Sequence, residues 1–254
     1  YSDLFEPTLR FSIQTRLLAD VDYKPFLINR TLSAAIAQQT GATLAVRQPE
    51  QILSVTILPQ VAYVGLSLTQ HNLSAWPGGA HRFARQKGQI SRAEFKLLEA
   101  IDLFNIPLPP RGTALDLGAA PGGWTRILRQ HEQFVTAVDP GRLHRSLSND
   151  RMVRHKWMTA EDYLADDPDR FDLIVNDMRL DARDSARLMN DFAPHIYRNG
   201  RALMTLKLPE SGRHPVIDHA CNILREKYEI LRLRHLFHNR SELSAYLLPK
   251  SNLT

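Results

Sequence analysis

LDLGAAPGGWTRIL, residues 115–128, reads as a short apolar strand, a glycine-rich turn and the start of a helix. A strand, turn and helix in this order bring the backbone close to a bound nucleotide in many α/β proteins. The dinucleotide pattern G-x-G-x-x-G requires a central glycine, but this chain has Ala120 followed by Pro121. Ala120 hinders the close approach of a pyrophosphate, and Pro121 has no N–H group to donate to it. The turn is therefore disfavoured as a phosphate site.

An acidic residue follows the turn at the spacing of a ribose ligand. Asp139 lies 21 residues after Gly118, at the end of the next apolar stretch, FVTAVD. A carboxylate at that position accepts hydrogen bonds from both hydroxyls of a ribose. The turn and the acid together predict S-adenosylmethionine, a nucleoside cofactor without a phosphate. The alternative is an ordinary strand-to-helix turn, and for Trp124 alone packing in the core is the favoured interpretation.

The composition limits the class of protein. The chain has 254 residues, of which 43% are hydrophobic and 23% charged, as in folded globular proteins. The single cysteine, Cys221, excludes a disulfide framework and favours a reducing compartment, so we expect the cytoplasm. There is no apolar run of about 18 residues and no secretory signal, so no membrane association is expected. The net charge of +5 favours an anionic partner, nucleic acid first, although many basic proteins bind none.

Two parts of the chain differ in pattern, residues 1–85 and residues 86–254. The first part contains one helical run and three strand-like runs, which predict a small α+β domain. In the second part, a helix, SRAEFKLLEAIDLF, precedes five apolar strands that alternate with amphipathic helices. Such alternation predicts a parallel sheet with helices on both faces. The five strands are TALDLG, FVTAVD, MVRHKWM, FDLIVND and RALMTLK.

The end of the chain breaks this alternation. Two strand-like runs, YEILRLRHLF and ELSAYLLPK, are separated only by HNRS, so they form an antiparallel hairpin. A parallel α/β sheet that ends in an antiparallel hairpin is the layout of class I methyltransferases. We therefore predict this fold for residues 86–254.

Five motifs occur in order along the second part: SRAEFKLLE, LDLGAAPGGWT, IVNDM, LMTLKLP and HNRSELSAYLL. They resemble the FtsJ-like RNA 2′-O-methyltransferases, and within that family the M-type group that methylates a cytidine of large-subunit ribosomal RNA. The resemblance covers residues 91 to about 249. The segment before it, which ends LAVRQPEQILSVTILPQVAYVGLSL, resembles a THUMP domain, an RNA-binding module. The resemblance implies transfer of a methyl group from S-adenosylmethionine to an RNA ribose.

The sequence departs from this family in two ways. Members of the M-type group carry a further N-terminal domain that these 254 residues lack, and Tyr1 is not an initiator methionine, as expected of a fragment or a processed chain. Asn176 stands where a smaller or sulfur-bearing residue is expected. Neither departure touches the implied catalytic set, but the first leaves the substrate less certain, and the oligomeric state stays open.

The resemblance implies a catalytic set of two lysines and two acids. Asp177 and Lys207 each follow an apolar strand, so both belong to the carboxyl edge of the sheet, where ligands bind in open α/β folds. Taken singly, a lysine on an amphipathic helix or at a strand end is more often a solvated surface residue. The four together, at positions that match the family, favour catalysis. The set is Lys96, Asp177, Lys207 and Glu242.

The chemistry gives a reason for such a set. A ribose 2′-hydroxyl is a poor nucleophile, so its proton must pass to a general base. A lysine is a base only when neutral; burial and neighbouring positive charges favour that form, and carboxylates oppose it. We predict Lys207 as the base, Asp177 and Glu242 as its orienting acids, and Lys96 as a residue that positions the hydroxyl.

Further contacts are predicted around this set. The family resemblance suggests that Glu161 or Asp162 binds the adenine amino group. The acid-free stretch AHRFARQKGQISR, residues 80–92, is predicted to contact RNA phosphates, with a solvated linker as the alternative. The scattered histidines predict no metal site. The predicted cofactor contacts are Ser91, Gly118, Ala120, Pro121, Gly122, Gly123, Trp124, Asp139, Glu161, Asp162 and Asp177, and the predicted RNA contacts are Arg82, Arg85, Lys87 and Arg92.

Two other functions remain open at this point. THUMP domains often serve transfer RNA, so transfer RNA is a rival substrate to ribosomal RNA. A non-catalytic RNA-binding or ribosome-assembly protein could also be built on the same fold. A binding module has no need of four matched charges, so the sequence favours the enzyme.

Overall fold

The structure is a computed structural model that describes residues 2–166 and 168–250. The described residues fall into two compact units that divide between Arg82 and Phe83. Sequence alone placed a division at residue 85, inside the same basic stretch.

The first unit is a small α+β structure. Strands β1 and β2 are parallel, and β3 pairs antiparallel with β2. The helix between β1 and β2 packs on this sheet, because Ile36 is buried in one cluster with Phe11, Ile13 and Val55. The elements are β1 (Phe11–Leu17), α1 (Pro25–Thr40), β2 (Gln51–Ile57) and β3 (Ala62–Leu68), with short 3₁₀ turns at Ser2–Leu4, Thr69–His71 and Pro77–Gly79.

The second unit contains a seven-stranded sheet. Its strands are β4 (Thr113–Leu117), β5 (Phe134–Val138), β6 (Val153–Lys156), β7 (Phe171–Asn176), β8 (Ile196–Lys207), β9 (Tyr228–Arg234) and β10 (Glu242–Pro249). Its helices are α2 (Ala93–Phe104), α3 (Gly123–Gln130), α4 (Arg145–Ser148), α5 (Ala160–Ala165), α6 (Ala182–Asp191) and α7 (Arg213–Lys227), and a 3₁₀ turn lies at Ala193–His195.

The strand order is β6-β5-β4-β7-β8-β10-β9. Pairing is parallel from β6 to β8, whereas β10 lies antiparallel between β8 and β9. The chain moves outward from β4 in both directions, so a topological switch point lies between β4 and β7. Ligands bind at the carboxyl ends of the strands at such a point. This order and the inserted antiparallel strand confirm the predicted class I methyltransferase sheet.

Both faces of the sheet are buried. In β7, Leu173 and Val175 pack with residues of α2 and α3, while Ile174 between them packs with residues of α6 and α7. Because side chains alternate along a strand, a continuous apolar run buries both faces. The core holds the strands in register and so fixes the positions of the residues at their carboxyl ends. Within the part of the chain that the structure describes, no helix is long and apolar enough to cross a membrane.

Candidate active site

The four residues of the predicted catalytic set meet at the carboxyl edge of the sheet. Asp177 follows β7 directly, and Lys207 is the last residue of β8. Glu242, the first residue of β10, lies opposite Lys207 in the antiparallel register. Lys96 reaches the same point from α2, which packs across one face of the sheet. Two strands, the residue that follows a third strand, and one helix therefore contribute one side chain each.

Lysines and carboxylates alternate around a closed square. Lys207 Nζ lies 2.5 Å from Asp177 Oδ1 and 2.5 Å from Glu242 Oε2. Lys96 Nζ lies 3.1 Å from Asp177 Oδ2 and 2.6 Å from Glu242 Oε1. Each lysine thus bridges both acids, and the four formal charges cancel. The side chains are only 6–23% exposed, so water screens these ion pairs weakly.

The surroundings shift the pKa values of two members of the square, Lys96 and Glu242. Burial opposes the charged form of Lys96, but the nearby Asp177 and Glu242 carboxylates outweigh it and raise the pKa of Lys96 above its ordinary value. Burial likewise opposes the charged form of Glu242, but hydrogen bonds from Lys207 and Lys96 hold the pKa of Glu242 below its usual range. Lys96 therefore stays protonated at neutral pH and can donate hydrogen bonds, which fits positioning rather than proton abstraction.

Two neighbours hold Asp177 in place. The Thr205 hydroxyl donates to Asp177 Oδ1 at 2.7 Å. The buried side chain of Asn176 accepts from Met178 N at 2.9 Å and donates to Ser185 Oγ at 3.2 Å. Asn176 therefore ties the turn after β7 to helix α6. The asparagine that departs from the family pattern has a structural role beside the aspartate.

The glycine-rich turn lies at the end of β4. Gly118 has a φ of +73°, and a Cβ atom there would lie 2.3 Å from Met178 Cγ. Gly122 has a φ of +110°, and a Cβ atom there would lie 2.2 Å from Leu147 Cδ1. Both positions require glycine because the backbone is left-handed and a neighbouring side chain fills the space. The turn is consequently packed against its own domain on one side.

Asp139 stands at the end of β5, beside this turn. Its carboxylate accepts hydrogen bonds from Ala120 N at 3.0 Å and from Gly141 N at 2.6 Å. These two donors fix its orientation, and each oxygen keeps acceptor capacity for a ribose hydroxyl. The hydroxyl of Ser91 is buried, has no hydrogen-bond partner and faces Gly123. An oriented carboxylate and a free hydroxyl at one turn fit a nucleoside with a polar amino-acid tail.

Asp116 is a buried acid of β4, two residues before Gly118. It accepts a 2.6 Å hydrogen bond from the Thr125 hydroxyl of α3. Burial raises the pKa of Asp116 to about 7, against the hydrogen bond from Thr125, and the charge of Asp177 adds to the rise. The base of the turn therefore carries an acid that titrates near neutral pH.

The side chain of Trp124 does not face the turn. It is 4% exposed, lies in the core between α2 and α3, and donates from Nε1 to Ala93 O at 2.8 Å. Glu94 makes a second link between these helices, because it accepts from Ile90 N at 2.6 Å and pairs with Arg126 Nη1 at 2.7 Å. Any contact of Trp124 with a cofactor would therefore come from its backbone.

Glu161 and Asp162 lie in the first turn of α5, which follows the carboxyl end of β6. Both are exposed. Asp162 forms a cap with Thr159, whose hydroxyl donates to Asp162 Oδ2 at 2.8 Å and accepts from Asp162 N at 3.1 Å. Glu161 therefore has the freer carboxylate of the two for an adenine amino group.

The predicted RNA contacts lie in the segment that joins the two units. Their side chains are all exposed. The segment is anchored by its backbone, since Arg126 Nη2 donates to Lys87 O at 3.3 Å. Among residues 2–166 and 168–250, no group of three or more His, Cys, Asp or Glu is arranged to hold a metal ion. The four residues are Arg82, Arg85, Lys87 and Arg92.

The family profile of the FtsJ-like methyltransferases matches residues 89–212. The chain carries an FtsJ-like methyltransferase domain. The match spans α2 through β8 and includes three of the four residues of the square, Lys96, Asp177 and Lys207. It confirms the predicted methyltransferase domain and S-adenosylmethionine as its cofactor.

Curated relatives match more of this chain than the family profile does. The protein named ribosomal RNA large subunit methyltransferase M from Alkalilimnicola ehrlichii is 37% identical over 177 residues, which are 66% of this chain and 48% of that protein. The protein of the same name from Shewanella loihica is 32% identical over 236 residues, 85% of this chain and 63% of that protein. The chain thus spans about half to three-fifths of the length of these relatives.

A solved structure shares the fold of the FtsJ-like domain. The fibrillarin/Nop5p complex superimposes with a TM-score of 0.51 at 13% identity, covering 77% of this chain and 97% of that chain. At this identity the likeness concerns the fold alone.

Three further residues, Thr205, Glu94 and Asp116, support the site, and sequence reasoning missed them. Thr205 lies two residues before Lys207 on the same face of β8, so strand alternation could have found it. Ser91 and Glu94 have the S-x-x-E spacing of a capping box, which predicts that Glu94 accepts from the backbone before α2. No sequence pattern indicated that Asp116 belongs to the site. An acid within an apolar strand only interrupts the apolar pattern, and its importance becomes clear once its burial is known.

Proposed function

We propose that this protein transfers a methyl group from S-adenosylmethionine to a ribose 2′-hydroxyl of RNA. The proposal rests on one observation, the closed square of Lys96, Asp177, Lys207 and Glu242. Such an arrangement supplies a proton acceptor, a proton donor and two acids that fix both, which is what activation of a hydroxyl requires. The cofactor supplies an electrophilic methyl group on a sulfonium when it is bound.

The contacts of each residue in the square indicate its role in the reaction. Lys207, once neutral, would take the proton of the 2′-hydroxyl on its Nζ atom. The hydroxyl oxygen would form the new bond to the methyl carbon while the bond from that carbon to the sulfonium sulfur breaks, and the sulfur would leave with the electron pair as a neutral thioether. Asp177 and Glu242 fix the Nζ atom of Lys207 from two sides, at 2.5 Å each. Lys96, with its raised pKa, stays charged and donates a hydrogen bond to the hydroxyl oxygen. No covalent intermediate is needed, so alignment of the hydroxyl supplies much of the acceleration.

We propose large-subunit ribosomal RNA as the substrate, with a cytidine as the target. The relatives from Alkalilimnicola and Shewanella carry this RNA in their names. The exposed basic segment offers contacts to RNA phosphates, and residues 1–85 serve as a THUMP-like RNA-binding module. The buried lone cysteine, Cys221, suits a cytoplasmic location.

Replacing the base tests this proposal. Lys207→Ala is expected to lower the single-turnover rate of methyl transfer to ribosomal RNA by about 10²–10⁴-fold. Lys207→Arg should not restore the rate, because a guanidinium keeps its proton at any working pH. Binding of S-adenosylmethionine, measured by calorimetry, should be retained in both variants.

Lys227→Ala is the matched control, since Lys227 ends α7 in the same unit but away from the square. It should transfer methyl groups at the wild-type rate. A wild-type rate from either Lys207 variant would overturn the assignment of the base. If wild-type protein with bound cofactor methylates transfer RNA instead, the substrate assignment is wrong; if it methylates no RNA, the non-catalytic alternative is favoured.

A further inference from the structure

Residues 235–241 form the loop between β9 and β10. The loop is followed directly by Glu242, which belongs to the catalytic square, so it lies at the carboxyl edge of the sheet beside the proposed active site. Its exposed residues include Phe237 and Arg240. An RNA strand that presents a ribose to Lys207 must pass close to this loop.

A buried carboxylate holds the loop in one position. Glu99, 1% exposed, accepts from Phe237 N at 2.7 Å and from His238 N at 2.9 Å. Hydrogen bonds to a charged acceptor are among the stronger ones in proteins. The buried Asn239 adds a further link, donating from Nδ2 to Ser244 Oγ of β10 at 3.0 Å. Glu99 is three residues after Lys96 on the same helix. It therefore binds the loop at a point about one helical turn from the square.

Aromatic rings pack against one another at the tip of this loop. The ring of His238 lies 5.0 Å from the ring of Phe237, at 83°, and 5.1 Å from the ring of Phe95, at 34°. Phe83 extends the group, with its ring stacked on that of Phe95 at 6.0 Å. Phe237 itself is 51% exposed, although its neighbours are held by packing. The loop therefore presents a large ring to solvent on a packed base, five residues before Glu242 of the square.

We propose that Phe237 is a stacking platform for a nucleobase that flanks the methylated ribose. Every base has a π-face, so stacking on an aromatic ring tolerates any sequence and supplies affinity and alignment. The positive charge of Arg240 in the same loop suits the adjacent phosphate. The inference rests on the proposed function, because it takes the ligand to be the RNA strand that enters the square.

Fluorescence of a stacked base analogue tests the platform without requiring catalysis. The probe is a single-stranded oligoribonucleotide of about 12 nucleotides that carries 2-aminopurine, whose emission falls when it stacks. Wild-type protein should quench the probe on binding. Phe237→Ala should bind the probe roughly tenfold more weakly and lose the quenching. Phe237→Trp should restore both, because it keeps an aromatic face.

Tyr197→Ala is the matched control. Tyr197 is 45% exposed and is the second residue of β8, at the amino edge of the sheet and away from the square, so its loss should leave affinity and quenching unchanged. Circular dichroism of each variant checks that the domain folds. Wild-type quenching and affinity in Phe237→Ala would overturn the platform.

Methyl transfer to ribosomal RNA separates this inference from the proposed function. In Phe237→Ala the KM for RNA should rise roughly tenfold while the affinity for S-adenosylmethionine is retained. If wild-type protein transfers methyl groups and Phe237→Ala has an unchanged KM, the platform is wrong and the proposed function stands. If quenching depends on Phe237 but no RNA is methylated, the proposed function is wrong and the stacking surface stands.

Discussion

Asp116 lies at the base of the glycine-rich turn, with its carboxyl group in the core. Burial raises its pKa from 3.8 to about 7. An acid whose pKa is higher in the folded state stabilises the fold fully below its unfolded pKa, and this contribution is lost as the pH rises through the folded pKa. For Asp116 the window therefore runs from about pH 4 to about pH 7. Glu242, whose pKa is lowered, has the opposite sign: its contribution is lost as the pH falls.

The titration of Asp116 gives a prediction for unfolding experiments. Asp116→Asn keeps an acceptor for the Thr125 hydroxyl but cannot ionise. The free energy of unfolding of wild-type protein should fall relative to this variant by up to about 1.4 kcal/mol per pH unit between pH 4 and pH 7. Urea denaturation of both proteins at pH 5 and at pH 8 measures the difference. Parallel pH profiles would show that Asp116 does not titrate in this range.

Single residues also show how far a sequence can predict a site. Asp177 and Lys207 could be placed at the sheet edge from strand patterns alone, since each follows an apolar run. Lys96 could not, because a lysine on an amphipathic helix has the pattern of a surface residue. Only the packing of α2 over the sheet brings Lys96 to within 2.6 Å of Glu242, so the family resemblance was needed to find it.

At the scale of elements, apolar periodicity predicted every strand of the large sheet, but with shifted ends. β8 begins at Ile196, five residues before the predicted run RALMTLK, because polar residues near its start hide the pattern. β9 ends at Arg234, although the apolar run continues to Phe237. The backbone N–H group after Leu236 instead donates a hydrogen bond to the carboxylate of Glu99. This is a tertiary contact that no local sequence pattern predicts.

The link between α2 and α3 gives a prediction about these elements. Glu94 is 2% exposed and caps the start of α2 while it pairs with Arg126 of α3. Glu94→Ala strands the guanidinium of Arg126 and two backbone donors, so it should lower the free energy of unfolding by about 3 kcal/mol. Asp184→Ala is the control, because its pair with Arg187 is exposed and should contribute less than about 1 kcal/mol. Equal losses in the two variants would contradict this role of Glu94.

At the scale of the whole molecule, two compact units are joined through a basic segment. Sequence composition located the segment, because residues 80–92 contain no acid. The α+β pattern of the first unit was also predicted from the sequence, whereas RNA as its ligand was predicted only from the resemblance to a THUMP domain, since a small sheet with one helix serves many functions.

The basic segment yields the prediction for the whole chain. Arg82, Arg85 and Lys87 are exposed, and each phosphate contact releases counterions when RNA binds. Replacing all three by Ala should reduce the slope of log affinity against log salt by about 2, since a single-strand contact contributes about 0.7. Titration of single-stranded RNA at several salt concentrations measures this slope.

Net charge alone could also weaken RNA binding, so the control removes the same charge elsewhere. Arg187 on α6, Arg198 at the amino end of β8 and Arg225 on α7 are exposed and lie outside the segment. Their triple alanine variant lowers the net charge equally but should leave the salt slope near the wild-type value, because few counterions are released where no phosphate is contacted. Equal slopes in the two triple variants would mean that the segment is only a linker and that RNA binds through general charge.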